Sequence, residues 1–159
     1  FERVFLAIGS NGDASAPARR MVLEHGQRAS YPETHEAIAR LRKSGRFRLG
    51  ILSNADNDFL EPLLGRLNLP FDATLSSESA GAYKPEAAAF NQILASLDVA
   101  AEESLYVGDS QFDDVQGAKG VGMRVAWVNR SGTSPDPSLP VPDYVVSDLL
   151  KVLDILGVN

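Results

Sequence analysis

The sequence predicts an α/β fold, a three-layer, doubly wound parallel sheet, and three observations carry that reading. Short apolar runs of strand type alternate with amphipathic stretches of about ten residues, the pattern of parallel strands joined by right-handed crossovers. The stretch 105–128, LYVGDSQFDDVQGAKGVGMRVAWV, passes from an apolar strand through a glycine into a carboxylate-rich turn and then a helix. Carboxylates at the C-terminal end of such a strand lie where open α/β sheets place their ligands. Finally, 159 residues with 44% hydrophobic and 23% charged content suit one globular domain, residues 1–159, with a core of its own.

Taken in order, residues 3–9 (RVFLAIG) read as a strand, followed by a Gly/Ser/Asn/Asp loop through Ala16. Residues 17–25 form a short helix opened by Pro17, whose missing N–H costs nothing at a first helical position. Tyr31-Pro32 breaks the chain, so residues 1–30 stand apart as an atypical N-terminal segment. Residues 33–43 place Ala37, Ile38 and Leu41 on one face and end at Gly45 as a C-cap. Residues 48–53 are an apolar strand. Residues 57–67 form a helix with Phe59, Leu60, Leu63, Leu64 and Leu67 in a broad stripe. A short strand is expected over 71–76, and a helix over 86–97 with Phe90, Ile93, Leu94 and Leu97 facing inward. After the 105–128 unit, residues 131–142 hold four prolines and read as an extended surface loop. Residues 144–146 are a last strand, and 148–156 a closing helix burying Leu149, Leu150, Leu153 and Leu156. Trp127 lies in a strand pattern and reads as core.

Composition narrows the partners. A formal charge of −6 argues against nucleic acid or an anionic membrane, both of which select a basic face. No apolar run approaches the length of a membrane span, and no export signal is visible. The absence of cysteine excludes disulfides and thiolate chemistry and fits a reducing compartment, so the cytoplasm is the expected location. The oligomeric state is not legible, and the two histidines read as surface residues.

Three constellations carry chemistry. Ser53 and Asn54 end the 48–53 strand, where a hydroxyl and the backbone N–H groups of the next turn hold a phosphate oxygen or, more simply, cap the following helix. Lys84-Pro85 opens a helix, so the ammonium is either aimed at the sheet edge, to neutralise charge on a transferring phosphoryl group, or a solvated surface charge. Asp109, Asp113 and Asp114 follow Gly108. They either provide the one or two carboxylates that Mg²⁺ takes from protein, or cap a helix and complement its dipole. Asp56 and Asp58 read as caps of the helix after Ser53.

The order of these motifs resembles the haloacid dehalogenase-like hydrolase superfamily, from about Tyr31 to the C-terminus. ILSN is similar to that family's second motif, SSESAGAYKPEAAAF to its third, and VGDSQFDDVQGAKGVGM to its fourth. The resemblance implies a Rossmann-like core with a minimal or absent cap, and Mg²⁺-dependent hydrolysis of a small phosphate ester. By it, Ser53 binds substrate phosphate, with Asn54 beside it. Lys84 orients phosphate and nucleophile, and Asp109 ligates Mg²⁺. The second acid is Asp114 when aligned through the following VQGA and Asp113 when counted from Gly108; register with the helix favours Asp114.

The family's first motif, D-x-D-G-T at the end of a central strand, supplies the attacking aspartate and the general acid/base. No such pattern occurs in this sequence. Either the chain is a fragment of a longer enzyme, or residues 3–9 fill the central position with Ala7 and Gly9 where the two carboxylates stand. The second is favoured, because an empty position leaves rows of backbone N–H and C=O groups unpaired. The short separation from Ala7 to Ser53 then leaves little room for a cap. On either arrangement the expected activity is impaired for want of the nucleophile. The alternative is a non-catalytic phosphate- or Mg²⁺-binding, or protein-interaction, domain.

Overall fold

The computed structural model describes residues 2–158. Its parallel strands lie between helical layers, as expected of a Rossmann-like α/β fold, but they form two sheets. In chain order the elements are α1 (Glu2–Ala7), α2 (Ser15–Gly26), α3 (Thr34–Ser44), β1 (Gly50–Ser53), α4 (Asn57–Leu67), β2 (Ala73–Ser76) and α5 (Ser77–Ala80). There follow α6 (Ala87–Leu97), β3 (Leu105–Gly108), a π-helical turn Gln111–Gln116, α7 (Gly117–Gly120), β4 (Arg124–Val128), β5 (Tyr144–Val146) and α8 (Leu150–Leu156). Strand β1 pairs with β2, and β3-β4-β5 form the second sheet, every pair parallel.

The helices form where apolar spacing and caps coincide. Helix α3 ends at Gly45, whose φ of 64° lets its N–H return to the Arg42 carbonyl. Helix α6 buries Ala89, Phe90, Ile93 and Leu94 and packs over β1 and β2. Its Phe90 and Leu94 join Val115, Met123, Val125 and Trp127 in the main core, with Leu52 and Tyr106 against them. On the other face of the sheet, Leu105 and Val107 pack with Val128, Val146 and Val152 of α8. The alternation Leu105, Tyr106, Val107 therefore sends successive side chains to opposite layers, as a strand must.

Residues 3–9 do not form the expected strand. Helix α1 occupies them, closed by Ile8 N–H to the Val4 carbonyl at 3.0 Å and Ser10 N–H to the Phe5 carbonyl at 2.9 Å. A run of four to eight apolar residues fits helix or strand equally by periodicity, and here local hydrogen bonds satisfy the backbone without a neighbour. Ala7 and Gly9 thus end no strand, and β1 and β3 are not hydrogen-bonded to any strand on their facing edges among the described residues. The closing helix also differs in detail. It starts at Leu150, with Asp148 accepting from Lys151 N–H at 3.1 Å, and it buries Val152 and Leu153. Leu149, Leu150 and Leu156, expected inside, are half-buried. Residues 131–142 form no helix or strand, and Trp127 is buried as expected.

Candidate active site

Strand β1 delivers Ser53 and then Asn54 to its C-terminal end. Ser53 is half-buried and lies in register with Ser76 of β2. The Asn54 side chain clamps the backbone of Lys84: its Oδ1 accepts from Lys84 N–H at 2.7 Å, and its Nδ2 donates to the Lys84 carbonyl at 3.0 Å. Both ends of the amide are thereby occupied. The residue that sequence placed with substrate phosphate serves, in this arrangement, to fix where the lysine leaves the chain.

From that anchor the Lys84 ammonium reaches across to the other sheet. It donates to Asp114 Oδ1 at 2.7 Å, in a pair whose side chains are 13% and 4% exposed. It also donates to the Tyr106 hydroxyl at 3.3 Å, and that hydroxyl donates to the same Asp114 oxygen at 3.1 Å. A solvated surface lysine is excluded by this burial. The peptide between Lys84 and Pro85 is cis.

Asp114 is positioned by the π-helical turn after β3. Ser110 caps that turn, its Oγ accepting from Asp113 N–H at 3.0 Å and donating to Asp113 Oδ2 at 2.8 Å. The Ser110 carbonyl accepts from both Asp114 and Val115 N–H groups, which widens the turn and swings Asp114 inward. Asp114 Oδ2 in turn accepts from Ser110 N–H at 2.9 Å. Two glycines permit the approach. A Cβ on Gly108 would stand 2.4 Å from Asp114 Cγ, and one on Gly117 would stand 2.3 Å from Phe90 and 2.9 Å from the Pro85 backbone. The cap is Ser110 rather than Asp109, whose exposed side chain lies at the end of β3 while its carbonyl accepts from the Trp127 indole at 2.9 Å.

The structure therefore brings Asn54, Lys84 and Asp114 into one hydrogen-bonded chain spanning both sheets, with Ser53 next to one end and Asp109 and Asp113 next to the other. Tyr106 was missed by sequence reasoning. It stood in an apolar strand run, where the only signal is that a buried tyrosine hydroxyl needs a partner. Burial, and then the neighbouring Asp114, Asp109 and Asp113 charges, push its phenol well above the ordinary value. Asp56 takes the N-cap position of α4 without a side-chain bond, and Asn57 N–H is instead satisfied by Glu78 Oε2 at 2.7 Å. His35 is exposed and outside the site; the side chain of His25 lies outside what the structure describes.

Among the described residues no group of three or more His, Asp or Glu side chains is placed to hold a metal by itself. The donor set present suits a different kind of site. Asp109 offers an exposed carboxylate beside Asp113 and Asp114, and hard oxygen donors in ones and twos are what Mg²⁺ takes from protein when water and phosphate complete its shell.

The family model described as haloacid dehalogenase-like hydrolase matches residues 17–128. A phosphoserine phosphatase of Thermus thermophilus is 35% identical over 158 residues, covering 95% of this chain and 63% of its own length. Haloacetate dehalogenase H-2 of a Moraxella species is 30% identical over 143 residues, covering 89% of this chain and 63% of its own. The chain thus spans under two thirds of the length of these relatives. The crystal structure of a phosphatase from Thermococcus onnurineus superposes with a TM-score of 0.78 at 27% identity, over 100% of this chain and 71% of that one. With the matched residues running from α2 through β4, and so through Asn54, Lys84 and Asp114, this chain belongs to the haloacid dehalogenase-like hydrolases.

Proposed function

We propose that the chain carries the phosphate-orienting and cation-holding part of a phosphohydrolase site, of the kind that hydrolyses a small phosphate ester with Mg²⁺. The observation that carries this reading is the Lys84–Asp114 pair, fixed at 2.7 Å beside the exposed Asp109 at the end of β3. Ser53 and Lys84 would hold the phosphate oxygens, and Asp109 with Asp114, flanked by Asp113, would face the cation. Mg²⁺ when bound would neutralise charge on the phosphoryl group, and positioning with charge neutralisation is most of what phosphoryl transfer requires. The paired acids favour phosphate over dehalogenase chemistry, for which no cation is needed. The small phosphorylated partner, rather than nucleic acid or membrane, agrees with the net charge of −6. We place the protein in the cytoplasm because it has no cysteine. No helix among the described residues is long and apolar enough to cross a membrane.

The attacking carboxylate is not among the side chains gathered at this site, so residues 1–159 alone should bind without turning over. A purely binding role is the second reading, favoured by the unpaired edges of β1 and β3. Thermal melts with Mg²⁺, inorganic phosphate, or both test the site. The expected result is stabilisation by phosphate that requires Mg²⁺ and is lost in Asp109→Ala; indifference to both overturns the reading. Mg²⁺-dependent hydrolysis of p-nitrophenyl phosphate, abolished by Asp109→Ala, would refute the absence of turnover.

A further inference from the structure

Strand β3 ends at Gly108, which lies opposite Trp127 of β4 in the parallel register. Asp109 is therefore the first residue beyond the ladder, and the residue before it is a glycine, the most pliable of backbones. The ladder does not fix where the Asp109 carboxylate points. Two side chains do so instead. The Asp109 carbonyl accepts the indole N–H of Trp127 at 2.9 Å, and the next N–H along, that of Ser110, donates to Asp114 Oδ2 at 2.9 Å. This carbonyl and this N–H belong to one peptide unit, and a peptide unit is planar, so it is pinned at both ends. A pinned peptide leaves the Cα–Cβ bond of Asp109 few directions to take, while the carboxylate itself stays exposed at the strand end. The indole is held in turn. Trp127 is 2% exposed and packs with Phe90, Val115 and Met123 in the main core.

We propose that Trp127 is a positioning residue for Mg²⁺, its N–H holding the Asp109–Ser110 peptide so that the Asp109 carboxylate is aimed before the cation arrives. The inference rests on the phosphohydrolase reading, in which Asp109 faces the cation, and adds to it a residue that touches neither cation nor phosphate. A carboxylate ordered in advance need not be ordered on binding. Groups that orient a metal ligand in this way commonly govern metal affinity by roughly tenfold to a hundredfold. The opposite end of the same peptide is held by Asp114, the partner of Lys84, so one planar unit ties the cation ligand to the lysine. The plainer account is that a buried indole N–H needs an acceptor and finds one here. On that account its removal costs stability and leaves metal affinity alone.

Isothermal titration of Mg²⁺ into the 159-residue chain at a fixed concentration of inorganic phosphate separates the two accounts. Trp127→Phe should raise the Mg²⁺ dissociation constant about tenfold or more. So should 3-benzothienylalanine at position 127, which keeps the two-ring shape and carries sulfur in place of the N–H. It decides the matter if the Phe variant fails to fold. Val125→Ala cuts into the same core but leaves the indole in place, so it should lower the melting temperature without moving the Mg²⁺ constant. Trp127 is the only tryptophan in the sequence, which gives a second readout on the native chain. Its fluorescence should change when Mg²⁺ is added with phosphate, and should not change in Asp109→Ala. An unchanged Mg²⁺ constant without the N–H, or an equal loss of affinity in Val125→Ala, overturns the proposal while the phosphohydrolase reading stands. A native chain that takes up no Mg²⁺ brings down that reading, and the proposal with it.

Discussion

Lys84 and Asp114, thirty residues apart in sequence, form a 2.7 Å ion pair that joins the β1-β2 half of the molecule to the β3-β4-β5 half. The lysine is anchored to β1 through Asn54, and the aspartate to β3 through Ser110. Taking either member away strands the other charge where water cannot compensate it. Lys84→Met is expected to destabilise the chain by about 3 kcal/mol, the cost of breaking a buried pair from one side. Lys84→Met combined with Asp114→Leu should recover part of that loss, as denaturant unfolding of the single and double variants will show.

Asn54 acts through the backbone of Lys84. Asn54→Ala removes an acceptor and a donor together and should cost about 1–3 kcal/mol. Asn54→Asp keeps the acceptor for Lys84 N–H but turns a carboxylate oxygen toward the Lys84 carbonyl, so it should not rescue. Equal stability of the Asp and Asn proteins in urea melts would contradict the clamp.

Gly108 and Gly65 offer a paired test of close approach. Gly108→Ala drives a methyl group into the Asp114 carboxylate, with 2.4 Å available, and overpacking of this kind costs about 1–3 kcal/mol. Gly65, inside α4, has nothing within 4 Å of an added Cβ, so Gly65→Ala should stabilise by about 0.5–1 kcal/mol. Opposite signs in thermal melts are the expected outcome.

Tyr106 should keep its proton through the range near pH 10 where an ordinary phenol ionises, because burial and then Asp114 oppose its charge. In the unfolded chain the phenol titrates normally. Its contribution to stability is therefore complete below about pH 10 and lost as pH rises further. Compared with Tyr106→Phe, the native chain should lose stability more steeply above that pH, while absorbance at 295 nm shows one phenol ionising only on unfolding.

Asp72 gives an acid-side dependence of the opposite sign. Leu49 N–H, then the Arg42 guanidinium, hold its carboxyl below the usual 3.8. The stabilisation is full above that value and disappears as pH falls through the lowered folded pKa. The melting-temperature gap between native chain and Asp72→Asn should shrink on acidification from pH 6 to pH 3; a constant gap would rule the linkage out.

Local chemistry was enough to read much of this molecule from its sequence. The stripe of α4, the Gly45 cap of α3 and the order of ILSN, KP and GDSQFDD each depend on residues close together in the chain, so spacing alone predicts them. That Asp114 pairs with Lys84 is a separate matter, because register with the VQGA that follows places Asp114 on its helix but encodes no contact with a residue thirty positions earlier. Residues 3–9 were not legible: an apolar run of that length suits helix or strand, and only the presence or absence of a neighbouring edge decides. The Asn54 clamp and the recruitment of Tyr106 escaped for the same reason. Asn54 lies thirty residues from Lys84 and Tyr106 twenty-two, and no local preference encodes a hydrogen bond that exists only once tertiary packing has brought such distant segments together. Sequence by itself determined which side chains could do chemistry and on which elements they ride. Tertiary structure alone decided which of them touch, because burying a charge is tolerable only where packing delivers its counter-charge.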